Sequence, residues 1–186
     1  KRYDLNAGVI FDQAEIQIGF NSANQFYAKL GGQTATTTTT YGFTDKWIHF
    51  TVSFDNVSKN LNAYSAYDGY NGTDLTDQNF PNDFTGNGRM YIGNNADLNL
   101  AYNGLMHDLR VWEKVVGYGE SNSNKTKSLN GDEIKISGFW PMDEMEGEFA
   151  TDLSRSHHAV LFGPSWIVFP SGYAHTFDGA TNINIP

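Results

Sequence analysis

The chain has 186 residues, 39 % of them apolar and 15 % aromatic, with a formal net charge of −9. One domain of ordinary size can build a core from this without cross-links, and the aromatic content excludes wholesale disorder. The acidic balance argues against a nucleic-acid binder, and no apolar run reaches the ~20 residues of a membrane helix. Cys is absent, which removes disulfides, thiolate metal sites and Cys nucleophiles. The chain opens on Lys1-Arg2 without Met or an apolar leader, and reads as a processed product or a window of something longer.

Taken in order, short apolar-aromatic runs are punctuated by Gly, Asn, Asp, Ser and Thr. Ala7 to Phe11, Ala14 to Phe20 and Gln25 to Leu30 read as three strands, the last closed by Gly31-Gly32. The Thr-rich tract to Thr40 reads as a polar edge strand or an exposed loop. From Trp47 to Asp55 the period is two: Ile48, Phe50, Val52 and Phe54 on one face, His49, Thr51 and Ser53 on the other. Leu61 to Tyr67 follows and turns at Asp68-Gly69. The loop beyond it carries Asp68, Asp74 and Asp77, read as a solvated acidic cluster.

Arg89 to Gly93 is a short strand, and Leu105 to Glu113 alternates as one longer strand. Glu120 to Lys127 is rich in Ser, Asn and Lys and reads as a mobile surface loop. One helical turn is predicted at Ser128 to Ile134, capped by Ser128. Gly138 to Met142, Ala159 to Phe162, Trp166 to Phe169 and Ala174 to Phe177 are the remaining strands. Such a succession of short strands and turns predicts an all-β sandwich, barrel or jelly roll.

The order of the runs then becomes specific. Trp47 to Asp55 leads to a strand ending in Asp68-Gly69, then Tyr91-Ile92-Gly93, then Gly104-Leu105-Met106-His107-Asp108-Leu109-Arg110-Val111-Trp112. Later come Trp140-Pro141-Met142-Asp143-Glu144, Asp152-Leu153-Ser154 and Phe177-Asp178-Gly179. This resembles the laminin-G-like branch of the concanavalin A-like lectin/glucanase superfamily over most of the chain. The resemblance implies an antiparallel two-sheet jelly-roll sandwich. It also implies a departure, because the segments that open the family domain here follow the one that closes it. Residues 1–115 resemble the later strands of a module and 136–186 its opening strands. The 186 residues are then one period of a tandem array cut out of register, or a circular permutation. In either case the two parts are expected to pack together, with Trp140 and Trp166 buried.

Four kinds of chemistry compete for the polar residues. The run Asp143-Glu144-Met145-Glu146-Gly147-Glu148 superficially suggests paired acids, but it follows Pro141 and surrounds Gly147, so it reads as a solvated turn. Glucanases of the superfamily instead carry their carboxylates at alternating positions of one strand. The five His show no zinc spacing, and no nucleophile elbow is present. The resemblance implies a structural calcium with Asp108 and Glu144 as ligands; pairing of Asp108 with Arg110 is the competing assignment. Tyr67 and Tyr70 are the candidate sugar platforms, while the four Trp are assigned to the core. Asn56, Asn71 and Asn124 fit glycosylation sequons, relevant only in a secretory eukaryotic host.

The expected function is a non-catalytic adhesion or carbohydrate-binding module of a large exported or cell-surface protein. Its expected partners are a glycan or neighbouring modules of the same protein, with no nucleic acid and no transmembrane segment. A ligand-free structural repeat of a surface filament is the second reading, and a polysaccharide-cleaving hydrolase a distant third.

Overall fold

The computed structural model describes residues 1–155, 157–163, 165–169 and 172–185. An eight-stranded sheet forms one layer. Its strands are β1 (Gly8–Gln13), β2 (Ile16–Phe20), β3 (Gln25–Leu30), β4 (Gln33–Thr40), β8 (Met90–Ile92), β12 (Phe149–Ala150), β13 (Ala159–Phe162) and β16 (Asn182–Ile185). Their order across the sheet is β12-β13-β16-β8-β1-β2-β3-β4. Three smaller sheets contribute the opposing layer. The first is β5 (His49–Asp55), β6 (Asn60–Tyr67) and β7 (Tyr70–Asn79). The second is β10 (Leu109–Trp112) with β11 (Ile136–Trp140). The third is β14 (Ser165–Phe169), β15 (Gly172–Asp178) and β9 (Asn103–Met106). Every pairing between named strands is antiparallel. The chain is an all-β sandwich of jelly-roll type. No helix is long and apolar enough to cross a membrane among the described residues.

One core lies between the layers. Phe20, Phe26, Ile92 and Ile183 enter it from the large sheet; Leu61, Ala63, Trp140 and Phe177 enter it from the smaller ones. Phe26 stacks face to face on Phe50 at 4.4 Å, and Phe20 and Tyr41 meet the same ring edge-on. Such pairs add about 0.5–1.5 kcal/mol each beyond the area they bury. The Thr tract is the edge strand β4, with Ala35 and Thr37 turned inward and their neighbours exposed. Its polar rim suits an edge that must not recruit another chain.

The segment from β11 onward is woven into the earlier strands. β8 lies between β1 and β16, so Ile92 faces Phe11 on one side and Ile183 on the other. β15 pairs with β9, and β11 with β10. Gly93 sits at φ +80°, and a Cβ there would overlap the Phe177 ring. The Ile-Gly step therefore lets the later Phe approach the earlier strand. Gly138 likewise leaves room for the Trp140 ring. Trp140 is buried and donates its indole N–H to the His157 carbonyl at 2.9 Å. Asp152 accepts the Phe139 amide and the Ser154 hydroxyl, and the amides of Ser154 and His157. Burial alone would raise its pKa, but these bonds outweigh it and the net shift is downward.

Several expectations change. The predicted turn at Ser128 to Ile134 is not helical; the helix is α1 (Tyr118–Asn124), which overlaps the stretch Glu120 to Lys127 read as a mobile loop. The run Leu105 to Glu113 is two strands, broken where Asp108 adopts φ +62°. The acidic loop past Gly69 is the ten-residue strand β7, whose period is disguised by two register shifts. Trp166 is half-buried instead of buried, and Trp47, assigned to the core, is 36 % exposed.

His175 on β15 is fully buried, and neither ring nitrogen has a hydrogen-bond partner among the described residues. Its ring meets Phe177 at 4.6 Å and Trp166 at 5.2 Å. Burial among aromatics lowers its pKa from 6.5 to about 4.

Two outcomes follow from this packing. A chain ending at Val116 loses the partners of β8, β9 and β10, and should aggregate or melt without cooperativity. A soluble, cooperatively melting monomer would contradict the pairing described. The second concerns pH. The unfolded chain binds a proton at His175 near pH 6.5 and the folded chain only near 4, so its contribution is complete above 6.5. As pH falls from 6.5 to 4, up to about 3 kcal/mol of stability is lost. Urea midpoints at pH 7 and 4.5 should therefore differ less in His175→Leu than in the wild type. Equal pH dependence in both would remove His175 as the cause.

Candidate functional site

The β6–β7 hairpin carries the candidate site. Tyr67 and Tyr70 are directly opposed across its two-residue Asp68-Gly69 turn, with Gly69 at φ +76°. That spacing and an Asp-Gly pair suit a tight hairpin turn. The two phenol rings stack at 4.8 Å with an interplanar angle of 20°. Behind them Tyr67 packs edge-on to Tyr41 at 6.4 Å and against Phe43 at 5.0 Å. Burial and then the nearby Asp74 raise the Tyr70 pKa, so its hydroxyl stays protonated at neutral pH. Tyr41 donates to Asp74 at 2.5 Å and shares a 3.1 Å hydrogen bond with Ser65, which anchors the hairpin from below.

An open hollow of about 340 Å³ is lined by Ala66, Tyr67, Asp68, Gly69, Tyr70 and Asn71 of the hairpin and by Lys125. The structure thus brings the two predicted Tyr together with an acid, an amide and an ammonium. Lys125 escaped sequence reasoning, because nothing in a Ser/Asn/Lys-rich stretch marks one Lys as a wall of a site. Its Nζ donates to Asn71 Oδ1 at 2.7 Å. On the Phe43 side, Lys46 Nζ lies 5.6 Å from the Tyr67 ring centroid and 5.5 Å from that of Phe43.

Lys125 is delivered by a strap that crosses the outer face of β5 and β6. Val116 donates its amide to Ser53 Oγ at 2.9 Å, Thr51 Oγ1 meets Ser121 Oγ at 2.7 Å, and Tyr118 packs on Tyr64 at 5.9 Å. The strap buries polar groups, Ser121 and Asn124, and that is why α1 has no apolar period to read. Burial and then the Arg110 guanidinium push the His49 pKa down. Of the three sequons, Asn124 is buried while Asn71 and Asn56 are exposed.

Arg110 holds the far end of the strap. It donates to the carbonyls of Asn124 and Lys127 at 2.8 and 2.7 Å, and its guanidinium lies 5.7 Å from the Phe139 ring centroid. Both carboxylate oxygens of Asp108 accept from its Nε and a terminal nitrogen, a two-pronged fork. In this arrangement Asp108 pairs with Arg110, the assignment that competes with calcium. Calcium takes six to eight oxygens. Asp108 is committed to a cation already, and Glu144 gives Oε1 to the Thr151 amide at 2.6 Å. Only Glu144 Oε2 is left without a partner, and no group of three or more His, Asp or Glu fit to hold a metal occurs among the described residues. The acidic run of residues 143–148 is mostly exposed and lies between strands, in a turn. Among the described strands only β7 carries two carboxylates: Asp74 accepts from the Tyr41 hydroxyl, and Asp77 from the Asn60 side-chain amide.

Chelation with EDTA should therefore leave the melting temperature of the wild type unchanged. Asp108→Ala should lower it by several degrees, because the largely buried Arg110 side chain loses its counter-charge. A chelator effect on the wild type that vanishes in Asp108→Ala would restore Asp108 as a calcium ligand.

No curated protein matches the chain, and no solved structure matches it. A laminin G-type family does, over residues 2–120, a span that ends inside α1 and leaves β11 to β16 outside. The match covers more than half of the chain, which belongs to the concanavalin A-like lectin/glucanase superfamily.

Proposed function

We propose that the chain is a non-catalytic carbohydrate-binding or adhesion module of a large exported or cell-surface protein, and that glycan binds at the β6–β7 hairpin. The family supports a binding or adhesion module in general. The observation that carries the finer reading is the stacked Tyr67–Tyr70 pair lining a hollow with Asp68, Asn71 and Lys125. A sugar ring offers apolar C–H faces and a rim of hydroxyls. Phenol rings take the first; a carboxylate and an amide take the second. An open hollow suits an internal stretch of a polysaccharide, which must enter and leave sideways.

The same residues argue against hydrolysis. Hydrolysis with retention or inversion needs two carboxyl groups facing one another across the scissile bond, about 5–9.5 Å apart. The hollow has one, Asp68. No reducing-sugar release from β-glucans is expected.

The test is a glycan array read with the wild type and Tyr70→Ala. Binding by the wild type that is lost in a natively folded Tyr70→Ala supports the proposal. A silent array from folded protein favours a ligand-free structural repeat. Release of reducing sugar that disappears in Glu144→Gln or Glu146→Gln would make the chain a hydrolase.

A further inference from the structure

We propose that the hairpin site selects glycans carrying a carboxylate on the sugar ring, uronic-acid units above all, and that Lys125 is the residue that selects them. The inference rests on the glycan reading of this site.

The hollow is mixed in charge in an ordered way. Asp68 stands at the hairpin turn, and Lys125 comes from the strap. Every pyranose can give hydroxyl protons to a carboxylate such as Asp68. Only an acidic sugar repays an ammonium at the other wall, because a neutral sugar offers it hydroxyls no better than water does. A uronate unit carries its hydroxyls and its C6 carboxylate at opposite ends of the ring. Laid against the Tyr67–Tyr70 pair, it can meet both walls at once.

Lys125 is suited to this by what it lacks and by how it is held. Among the described residues no carboxylate forms an ion pair with it; the ion pairs there are Lys59–Asp83, Arg110–Asp108 and Lys114–Glu120. Its hydrogen-bond partner, Asn71 Oδ1, is neutral and leaves the charge uncancelled. An ammonium has three N–H groups, so the bond to Asn71 leaves two for a ligand. The backbone on either side of it is pinned by Arg110, at the carbonyls of Asn124 and Lys127. A Lys on a free loop would lose its position and gain little; this one is set in place before a ligand arrives. Lys46, beside the Tyr67 ring, adds a second positive charge on the other flank of the aromatic group. Both are positive charges on a chain of net charge −9, whose overall field repels polyanions.

The experiment is calorimetric titration of the whole chain with paired oligosaccharides. Tetramers of glucose and of galactose are each compared with the same tetramer oxidised to the uronate at C6. At low salt the uronates should bind about three- to fivefold more tightly, the scale of one partly exposed ion pair. Half-molar salt should erase the difference. Lys125→Gln should remove the preference, so that the uronate and its neutral counterpart bind this variant alike; Lys125→Arg should keep it. Tyr70→Ala should weaken both members of a pair alike. Equal binding of both members, or a uronate preference that survives Lys125→Gln, overturns the inference while leaving the glycan site intact. No binding of any tetramer by folded wild type overturns the glycan site and the inference together.

Discussion

Ile92 is where the two parts of the chain meet, and the sandwich depends on that meeting. It belongs to a three-residue strand that has Phe11 on one side and Ile183 on the other. Without the second neighbour the large sheet would end at β8 with an open row of amides and carbonyls. With it, β13 and β12 extend the layer, and Ile183, Ile185 and Leu161 fill the core beside Trp140. The cost of ordering so many residues is offset only because both layers are apolar on their inner faces and close-packed.

Much of this was legible as pattern. Gln25–Leu30 and Ala159–Phe162 coincide with runs visible in the sequence, and the alternation from His49 onward marks β5 correctly. Both faces of β5 are covered, however, since the strap lies on Ser53 and Thr51, and a period of two cannot reveal a polar face buried by polar groups. β7 was hidden because its bulges shift Asp74 and Asp77 out of phase. β16, Asn-Ile-Asn-Ile, was hidden because Asn is a poor strand former and four residues are too few to outvote it. The break at Asp108 needs a left-handed residue, and Asp tolerates that conformation better than most.

The site was half legible. Tyr67 and Tyr70 flank a turn whose chemistry is local, so their opposition could be read from Asp68-Gly69 alone. Lys125 could not, because its place is fixed at a distance. Asp108 orients Arg110, Arg110 stacks beside Phe139 and grips the strap, and the strap presents Lys125 to Asn71. The fork therefore positions a wall of the hollow without touching it. The residue at which the resemblance suggests a metal, Asp108, here accepts from an internal cation, the Arg110 guanidinium.

The interleaving of β8 between β1 and β16 also has a temporal side. Proteins rich in contacts between residues far apart in sequence fold slowly, since loop closure must precede the reward of pairing. During synthesis the first seven strands emerge before β8 and can form hairpins as they appear. β8 gains its first flank early, but its second only when Asn182–Ile185 has left the ribosome. For that interval the nascent chain presents a ready sheet edge with Ile92 beside it. The charge of the chain, nine units negative, then keeps sister chains apart while the sheet waits to be closed.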